Sequence, residues 1–382
     1  MAFNEEGRGN LRELTESLGP QQVTKVLLEA IQKDEIKADE FSLRELYEGL
    51  TGVSCRPGRI KSPQAFLVDG KVVWGDTKKE AIGTGSFEKI TGALINKKVI
   101  EGYGSVNVIW PNLVTTMAGT LKKETIAGMT AQVFPEEVPE GANYEGSGIE
   151  EKYVTVQTAK YGRIVEVTEE MVFMDQTGQV LTRAKGIGEM AATKKEKLIL
   201  DGVQDVNANV WNPKDTAQAF YSNAATNHNT DNLQASNAFN ASGLAAIEKL
   251  AQAAVDDSVQ QNPILVNIIG MPALFPVDLM EEAWELAMSP MHPETAENAR
   301  NYWAGKYTPF TSPYITAQST SSWFLGDFKK DFWWVEIFPL QTFDAAPNNY
   351  RSFEADIKSR HKVRFYGGIG AVDYVHCYKS TA

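Results

Sequence analysis

Apolar residues near the start of the chain recur at helical spacing. Leu11, Leu14 and Leu18 make one stripe, Gly19-Pro20 interrupts it, and Val23, Val26, Leu27, Ala30 and Ile31 resume it, which predicts two or three short amphipathic helices over residues 11–50. About 40 residues of helix cannot close a core unaided, so this segment reads as an arm that needs a surface to lie on. Residues 51–75 switch to Gly, Pro and short β-type runs such as Ala65 to Val68, a composition that suits loops and edge pairing. Between Phe87 and Leu121 apolar residues come in short bursts (Val106, Val108, Trp110, then Leu113-Val114) broken by Gly102, Gly104 and Pro111, which predicts strands and a short helix.

A longer helical stripe follows in the middle of the chain. Arg163 to Thr168 has strand character, and Thr168 is well placed as an N-cap ahead of Glu169, Glu170 and Met171. Beyond Thr177-Gly178, Val180, Ala184, Ile187, Ala191 and Leu198 recur at three, four or seven, with Lys194, Lys195 and Lys197 in what should be the last turns, where cations suit the helix dipole. The spacing predicts a helix from Gln179 to Leu200, roughly 33 Å long at about 1.5 Å per residue, ending at Asp201-Gly202. Gly186 and Gly188 inside it each weaken the helix by up to about 1 kcal/mol relative to Ala, and the use expected of them is to let another backbone pass close by. Residues 204–240 are rich in Asn, Ala, Thr and Gln and predict a polar surface stretch. Ser242 to Ser258 then reads as a helix, Pro263 to Ile269 as a buried strand, Gly270 to Pro272 as a turn and Val277 to Met288 as another helix. The chain ends in β runs, Trp333 to Phe338, Phe353 to Phe365, and Ala371 to Lys379 after the glycines 367, 368 and 370. The aromatic group Trp323, Phe324, Phe328, Phe332, Trp333, Trp334 and Phe338 suits a buried sheet or an interface, with ordinary core the expected use. The same core reading covers Met171, Met174 and Met190.

Two segments stand out by charge. From Phe134 to Tyr153 the chain has two prolines, three glycines and six glutamates (Glu136, Glu137, Glu140, Glu145, Glu150, Glu151) and almost no large apolar residue. Such a segment cannot bury itself, and the β-rich flanks Thr130–Phe134 and Tyr153–Gln157 make it the acidic tip of a long hairpin. Lys358, Arg360, Lys362 and Arg364 alternate with Ile357, Ser359, His361, Val363 and Phe365, so a strand here would place four cations on one face.

Composition narrows the function classes. At 382 residues the chain has room for two or three packed units, and 43% hydrophobic with 23% charged residues is ordinary for a folded protein. Thirty-seven Lys and Arg against 49 Asp and Glu leave a formal charge of −12, the opposite of the excess that phosphate-seeking proteins carry. That balance argues against direct DNA recognition, yet suits the wall of a DNA container, which should repel the polyanion. Cys55 and Cys377 are far apart and fit neither a disulfide framework nor a zinc site, and both are expected to be reduced. There is no run of about 18 apolar residues and no apolar core at the N-terminus, so no membrane segment is expected. His228, His292, His361 and His376 form no metal pair or nucleophile motif, and neither Gly83-Thr84-Gly85 nor Gly367 to Gly370 opens a helix after a strand as a dinucleotide site would. No catalytic residue, cofactor or metal is expected, and the chain reads as a non-enzyme.

Taken in order, the pieces resemble the tailed-phage major capsid fold, an α+β architecture. The stretches that carry the resemblance are Tyr161 to Met171 leading into the long helix, Asn262 to Val266 through Ala273-Leu274-Phe275 into a helix, and the glycine-then-strand ending Phe365 to Lys379. Together the resemblance covers roughly residues 85–382. It implies an N-terminal arm (1–84), its end and an entry to the P-domain (85–129), an E-loop hairpin (130–160) and a P-domain with spine helix (161–203). An A-domain (204–345), a P-domain return strand (346–366) and a C-terminal A-domain strand (367–382) complete the plan. The resemblance further implies a shell of hexamers and pentamers of one polypeptide enclosing double-stranded DNA in a virion, made in the host cytoplasm, with scaffold, portal and possibly decoration proteins as partners. Some members carry a cleaved segment of about a hundred residues before the matching region. Only some 80 precede it here, so a separate scaffold, or none, is the expectation. Some members also join subunits through a Lys–Asn bond, for which Lys152 and Asn348 or Asn349 would have to serve; residue types this common do not carry that expectation.

In the family the E-loop lies over a neighbouring subunit, so the acidic hairpin of one copy is expected to dock on the basic strand of the next. Exposed pairs of this kind are worth about 0.2–1 kcal/mol each and mainly set register and on-rate. Two rival readings share the polymer-forming habit. One is an encapsulin-like bacterial compartment shell, the other a tail-tube or sheath protein, which would form helical stacks.

Overall fold

The computed structural model describes residues 18, 20–33, 46–47, 50, 66–68, 71–73, 77–120, 122–129, 151–168, 170–171, 179–223, 229–235, 237–255, 263–267, 269–291, 300–345 and 356–381. Its elements run α1 (Pro20–Gln32), β1 (Phe66–Val68), β2 (Lys71–Val73), α2 (Thr77–Ser105), β3 (Thr115–Ala118), β4 (Lys123–Met129), β5 (Glu151–Gln157), β6 (Ala159–Thr168), α3 (Gln179–Val203), β7 (Leu233–Ala235), α4 (Ala241–Gln252), β8 (Met271–Phe275), α5 (Met280–Met288), β9 (Tyr307–Thr311), β10 (Trp323–Gly326), β11 (Phe332–Ala345), β12 (Ile357–Ala371) and β13 (Cys377–Thr381). The chain folds as two compact units. The first comprises residues 1–107, 161–193 and 340–365, the second 108–160, 194–339 and 366–382, so α3, β11 and β12 each contribute to both.

In the first unit α1 starts at Pro20, a residue preorganised for a first helical position. Its stripe Val23, Leu27, Ala30 and Ile31 is buried together with Leu46, Tyr47 and Leu50 against Phe87, Ile90, Leu94, Ile95 and Val99 of α2, while Val26 stays exposed. The arm's described helix thus lies on a helix that the sequence pattern did not predict. α2 occupies the region read as loops, strand bursts and a short helix. Five glycines interrupt its apolar rhythm, and from Phe87 to Val99 it is buried on more than one side, which erases the one-sided stripe that announces a surface helix. The same core takes Val180, Leu181 and Ala184 of α3, Val167 of β6 and Val363 of β12. Met171 packs partly against it, Met190 is exposed, and Met174 lies outside the described residues. The Thr168 cap is present: the Met171 N–H donates to its Oγ1 at 3.3 Å.

α3 runs to Val203, past the stop expected at Asp201-Gly202. Its last turn holds no basic residue, so the three lysines lie too far back for a dipole role, which fades beyond one turn. Of its two interior glycines, only Gly188 has the expected use. A Cβ there would strike the Val99 carbonyl oxygen of α2 and sit 2.8 Å from the Tyr103 nitrogen, and a Cβ on Gly102 would meet the Lys185 carbonyl in return. Nothing lies within 4 Å of a Cβ built on Gly186.

The second unit is built on a five-stranded sheet in the order β7-β13-β10-β8-β9. β10 lies antiparallel to both β13 and β8, whereas β13 pairs parallel with β7 and β8 parallel with β9. α4, capped by the Asn240 side chain, and α5 bury Leu244, Ile247, Ala283 and Leu286 with Phe275, Trp323 and Tyr378 of the sheet. The stretch Pro263 to Ile269, expected as a buried strand, is irregular where described, with Leu265 fully exposed; the strand begins only at Met271, after a turn in which Gly270 has φ +77°. Its neighbour 204–240 is less superficial than its polar composition predicts, since Val210, Trp211, Phe220, Tyr221 and Asn232 are buried. The glycines 367, 368 and 370 fall inside β12 rather than before a strand, and the final strand is β13. Five of the seven clustered aromatics (Trp323, Phe324, Phe328, Phe332, Trp334) are core; Trp333 is half-buried and Phe338 exposed.

Candidate assembly surface

β4 and β5 form an antiparallel ladder from Lys123↔Gln157 to Met129↔Glu151, which includes the expected second flank, while the expected first flank, Thr130–Phe134, lies outside the described residues. Glu136, Glu137, Glu140, Glu145 and Glu150 lie outside the described residues. Glu151 closes the ladder, though its side chain is not described.

The root of the hairpin is held on its outer edge. The Thr155 N–H donates to the Asn212 carbonyl at 3.2 Å, the Lys214 N–H to the Tyr153 carbonyl at 3.2 Å, and Lys123 pairs with Asp215 at 2.9 Å. Lys214 and Asp215 take left-handed backbone angles (φ +50° and +65°), uncommon for residues with a Cβ. The hydrogen bond and charge of Lys123 hold the Asp215 carboxyl below its ordinary value.

The predicted basic face also exists. Along β12, Ile357, His361, Val363 and Phe365 are buried, while Arg360, Lys362 and Arg364 alternate with them on the more accessible side; the Lys358 side chain is not described. In the first unit β12 runs between β6 and β11. The face is not a bare row of like charges. Arg360 pairs with Glu166 of β6 at 2.6 Å, Arg364 donates to Gln341 of β11 at 3.2 Å, and the Arg364 and Lys362 cations lie 4.4 and 4.9 Å from the centre of the Phe343 ring. Sequence reasoning missed Glu166 and Phe343 as partners, because strand neighbours far apart in the chain leave no local signal.

Other ionisable groups are buried in the second unit. Lys195 bonds Glu336 at 3.0 Å with its ammonium 4.2 Å from the centre of the Trp110 ring, and Glu196 accepts the backbone N–H groups of Ile109 and Trp110 at 3.2 and 3.1 Å. Burial raises the Glu196 carboxyl, and those two N–H donors oppose the shift. His376, which no spacing rule singled out, places Nδ1 2.8 Å from Asp331 and donates its backbone N–H to the same carboxylate at 3.0 Å. Burial raises the Asp331 carboxyl. For His376 burial acts downward, but the hydrogen bond and charge of Asp331, together with the charge of Asp373, outweigh it and leave its pKa raised. With Asp373 these groups bring three potential ligand atoms within 4.8 Å, but Asp331 and His376 already bond each other and the Tyr374 N–H donates to Asp373. The arrangement fits a structural lock on the start of β13.

A two-stranded hairpin ladder and a cationic strand face are the two candidate contact features among the described residues. A family model described as phage capsid protein matches residues 151–380, well over half of the sequence. The chain belongs to the phage capsid protein family. Membership gives this capsid protein a structural role in the virion shell, in assemblies of repeated subunits. Among solved structures it is similar to the capsid of cyanophage P-SCSP1u, at 10% identity over 72% of this chain and 88% of that one with a TM-score of 0.49. It is also similar to Mycobacterium phage Che8, at 13% over 72% and 92% with a TM-score of 0.46, and to the virus-like particle from Pyrococcus furiosus, at 9% over 75% and 98% with a TM-score of 0.41. Similarities this distant leave the family match as the deciding observation. No curated protein matches the chain.

Proposed function

We propose that this capsid protein is a non-catalytic shell subunit that closes into hexamers and pentamers around double-stranded DNA, with a scaffold and a portal as further partners. In this reading the acidic segment between β4 and β5 of one copy lies on the basic face of β12 of the next. The observation that carries the docking is the state of that face. Arg360 is neutralised within its own unit by Glu166, whereas the Lys362 ammonium lies over the Phe343 ring, a contact that leaves its charge to be answered by another surface. The clean test therefore spares Arg360, whose reversal would set two glutamates against each other. Lys358→Glu with Lys362→Glu should leave the purified subunit folded by circular dichroism and cut the yield of closed particles in negative-stain micrographs. Normal particle yield from that variant would overturn the docking, and tubes or persistent monomers from the unaltered protein would overturn the shell reading itself.

A further inference from the structure

The second unit exposes an apolar surface that its own fold does not use. α5 buries Ala283, Leu286 and Ala287 against the sheet, yet Trp284 and Met288, one turn apart on another flank, are 52% and 54% exposed. The surface continues past the helix. The Gly305 N–H donates to the Ala287 carbonyl, the Asn301 amide bonds the Leu286 and Ser289 carbonyls at 2.6 and 2.8 Å, and Met291 bridges to Arg300. That stitching brings Met291 (54% exposed) and Tyr302 (59%) into the same region, with the Tyr302 ring under the Lys306 ammonium. Aromatic and methionine side chains gathered in this way mark contact surfaces, not ordinary solvent-facing helix.

The charges around the patch say what kind of contact it makes. Asp278, Glu281, Glu282 and Glu285 are all exposed and α5 has no cation; the described cation at the patch margin, besides Lys306 on Tyr302, is Arg300. Two such faces turned on each other would set several carboxylates against their copies, a like-charge arrangement that costs affinity. Exposed cations of the same unit, among them Lys122, Lys160, Lys194 and Lys329, stand on other elements. We infer that the Trp284–Met288–Met291 face docks on a second copy of this chain, and that it does so heterologously, meeting a different and more basic surface. Heterologous contacts generate rings when the rotation closes. The inference rests on the shell reading and adds to it the residues and the polarity of one subunit contact.

Trp284→Glu with Met288→Glu tests it. Both positions are exposed, so the variant should keep the circular dichroism and melting curve of the parent while closed particles fall by at least about tenfold, as for loss of an aromatic anchor; Trp284→Phe should restore most of them. Mixing separates the polarities. A heterologous variant still offers its intact face, so a minority of it should poison assembly of the unaltered protein and leave short oligomers. Particles formed at full yield by the double variant alone would overturn the contact while leaving the shell reading intact. An inert variant that leaves the unaltered protein assembling normally, or a Trp284→Cys protein that readily forms disulfide dimers with itself, would overturn the heterologous polarity. Failure of the unaltered protein to form any closed particle would instead fall on the shell reading.

Discussion

Each of the two units has its own interior chemistry. The core of the first is mainly aliphatic among the described residues, Val, Leu, Ile and Ala around the edge-on pair Tyr47 and Phe87 at 5.2 Å, and it includes a close helix crossing made possible by missing side chains, Gly188 on α3 and Gly102 on α2. The second is aromatic, with Phe239 at 4.8 Å from Phe275 and 5.3 Å from Trp323, and it carries ionisable groups in its interior, Asp331 with His376 and Lys195 with Glu336. Close helix approach is the first unit's distinguishing constraint, although it too buries His361 and Lys98, and aromatic packing around paired polar atoms is the second unit's. Close approach makes the first intolerant of added volume, and low polarity makes the second intolerant of an unanswered charge.

The largest effect should come from breaking that second dependence. Asp331→Ala removes the acceptor of both the ring and the backbone N–H of His376 and leaves an imidazole whose pKa the carboxylate had raised. Urea denaturation should show a loss of about 3–5 kcal/mol, the usual result of deleting one partner of a buried pair. A loss under about 1 kcal/mol would mean that the second unit relies on its aromatics alone.

Volume is the corresponding lever on the first unit. Gly188→Ala places a methyl on the Val99 carbonyl and should destabilise by about 1–3 kcal/mol, whereas Gly186→Ala, two residues along the same helix and facing open space, should stabilise by about 0.5–1 kcal/mol through helix propensity. Melting the two variants side by side isolates the crossing, because both substitutions are chemically identical. Equal shifts would remove close approach as the organising feature of this unit.

That pair also shows what could be read from the sequence. Gly186 and Gly188 look alike in the chain, and only the position of α2 distinguishes them. α2 was illegible because its glycines break the apolar rhythm and because burial on several sides leaves no polar face to set the period. α3 and α5 were legible within a few residues at each end and α4 at its start, since each buries one stripe, but α4 stops at Gln252, six residues short of the Ser258 that the pattern predicts. The Thr168 cap was legible because its donor is three residues away. Among the site residues, the alternation along β12 followed from strand geometry, but Glu166, Gln341 and Phe343 belong to other strands and appear only once the sheet is assembled. Pro263 to Ile269 misled because an apolar run reads as core wherever it lies, and Leu265 shows that this one does not.

The smallest effect is a pH dependence within the second unit. Asp205 sits at φ +53°, accepts the Phe220 N–H at 2.7 Å and feels the opposing charge of Lys379; burial, against those bonds and that charge, pushes its carboxyl up to about 6. A folded-state pKa above the ordinary 3.8 means that the native state holds the proton more tightly than the unfolded chain. The contribution of Asp205 to stability is therefore fully present below about pH 4, declines as pH rises toward 6, and is flat above that. Asn tolerates the left-handed backbone and keeps an acceptor for Phe220, so Asp205→Asn should remove this slope and, at pH 7, stabilise by about 1 kcal/mol. That figure is set below the full linkage value, since the carboxyl is only partly shielded from solvent and Lys379 loses its counter-charge. Stability measured in urea at pH 4 and pH 7 reads both numbers at once. If the parent and the variant track each other across that interval, Asp205 is ionised at no cost in the native state, and interior charge ceases to distinguish the second unit at this position.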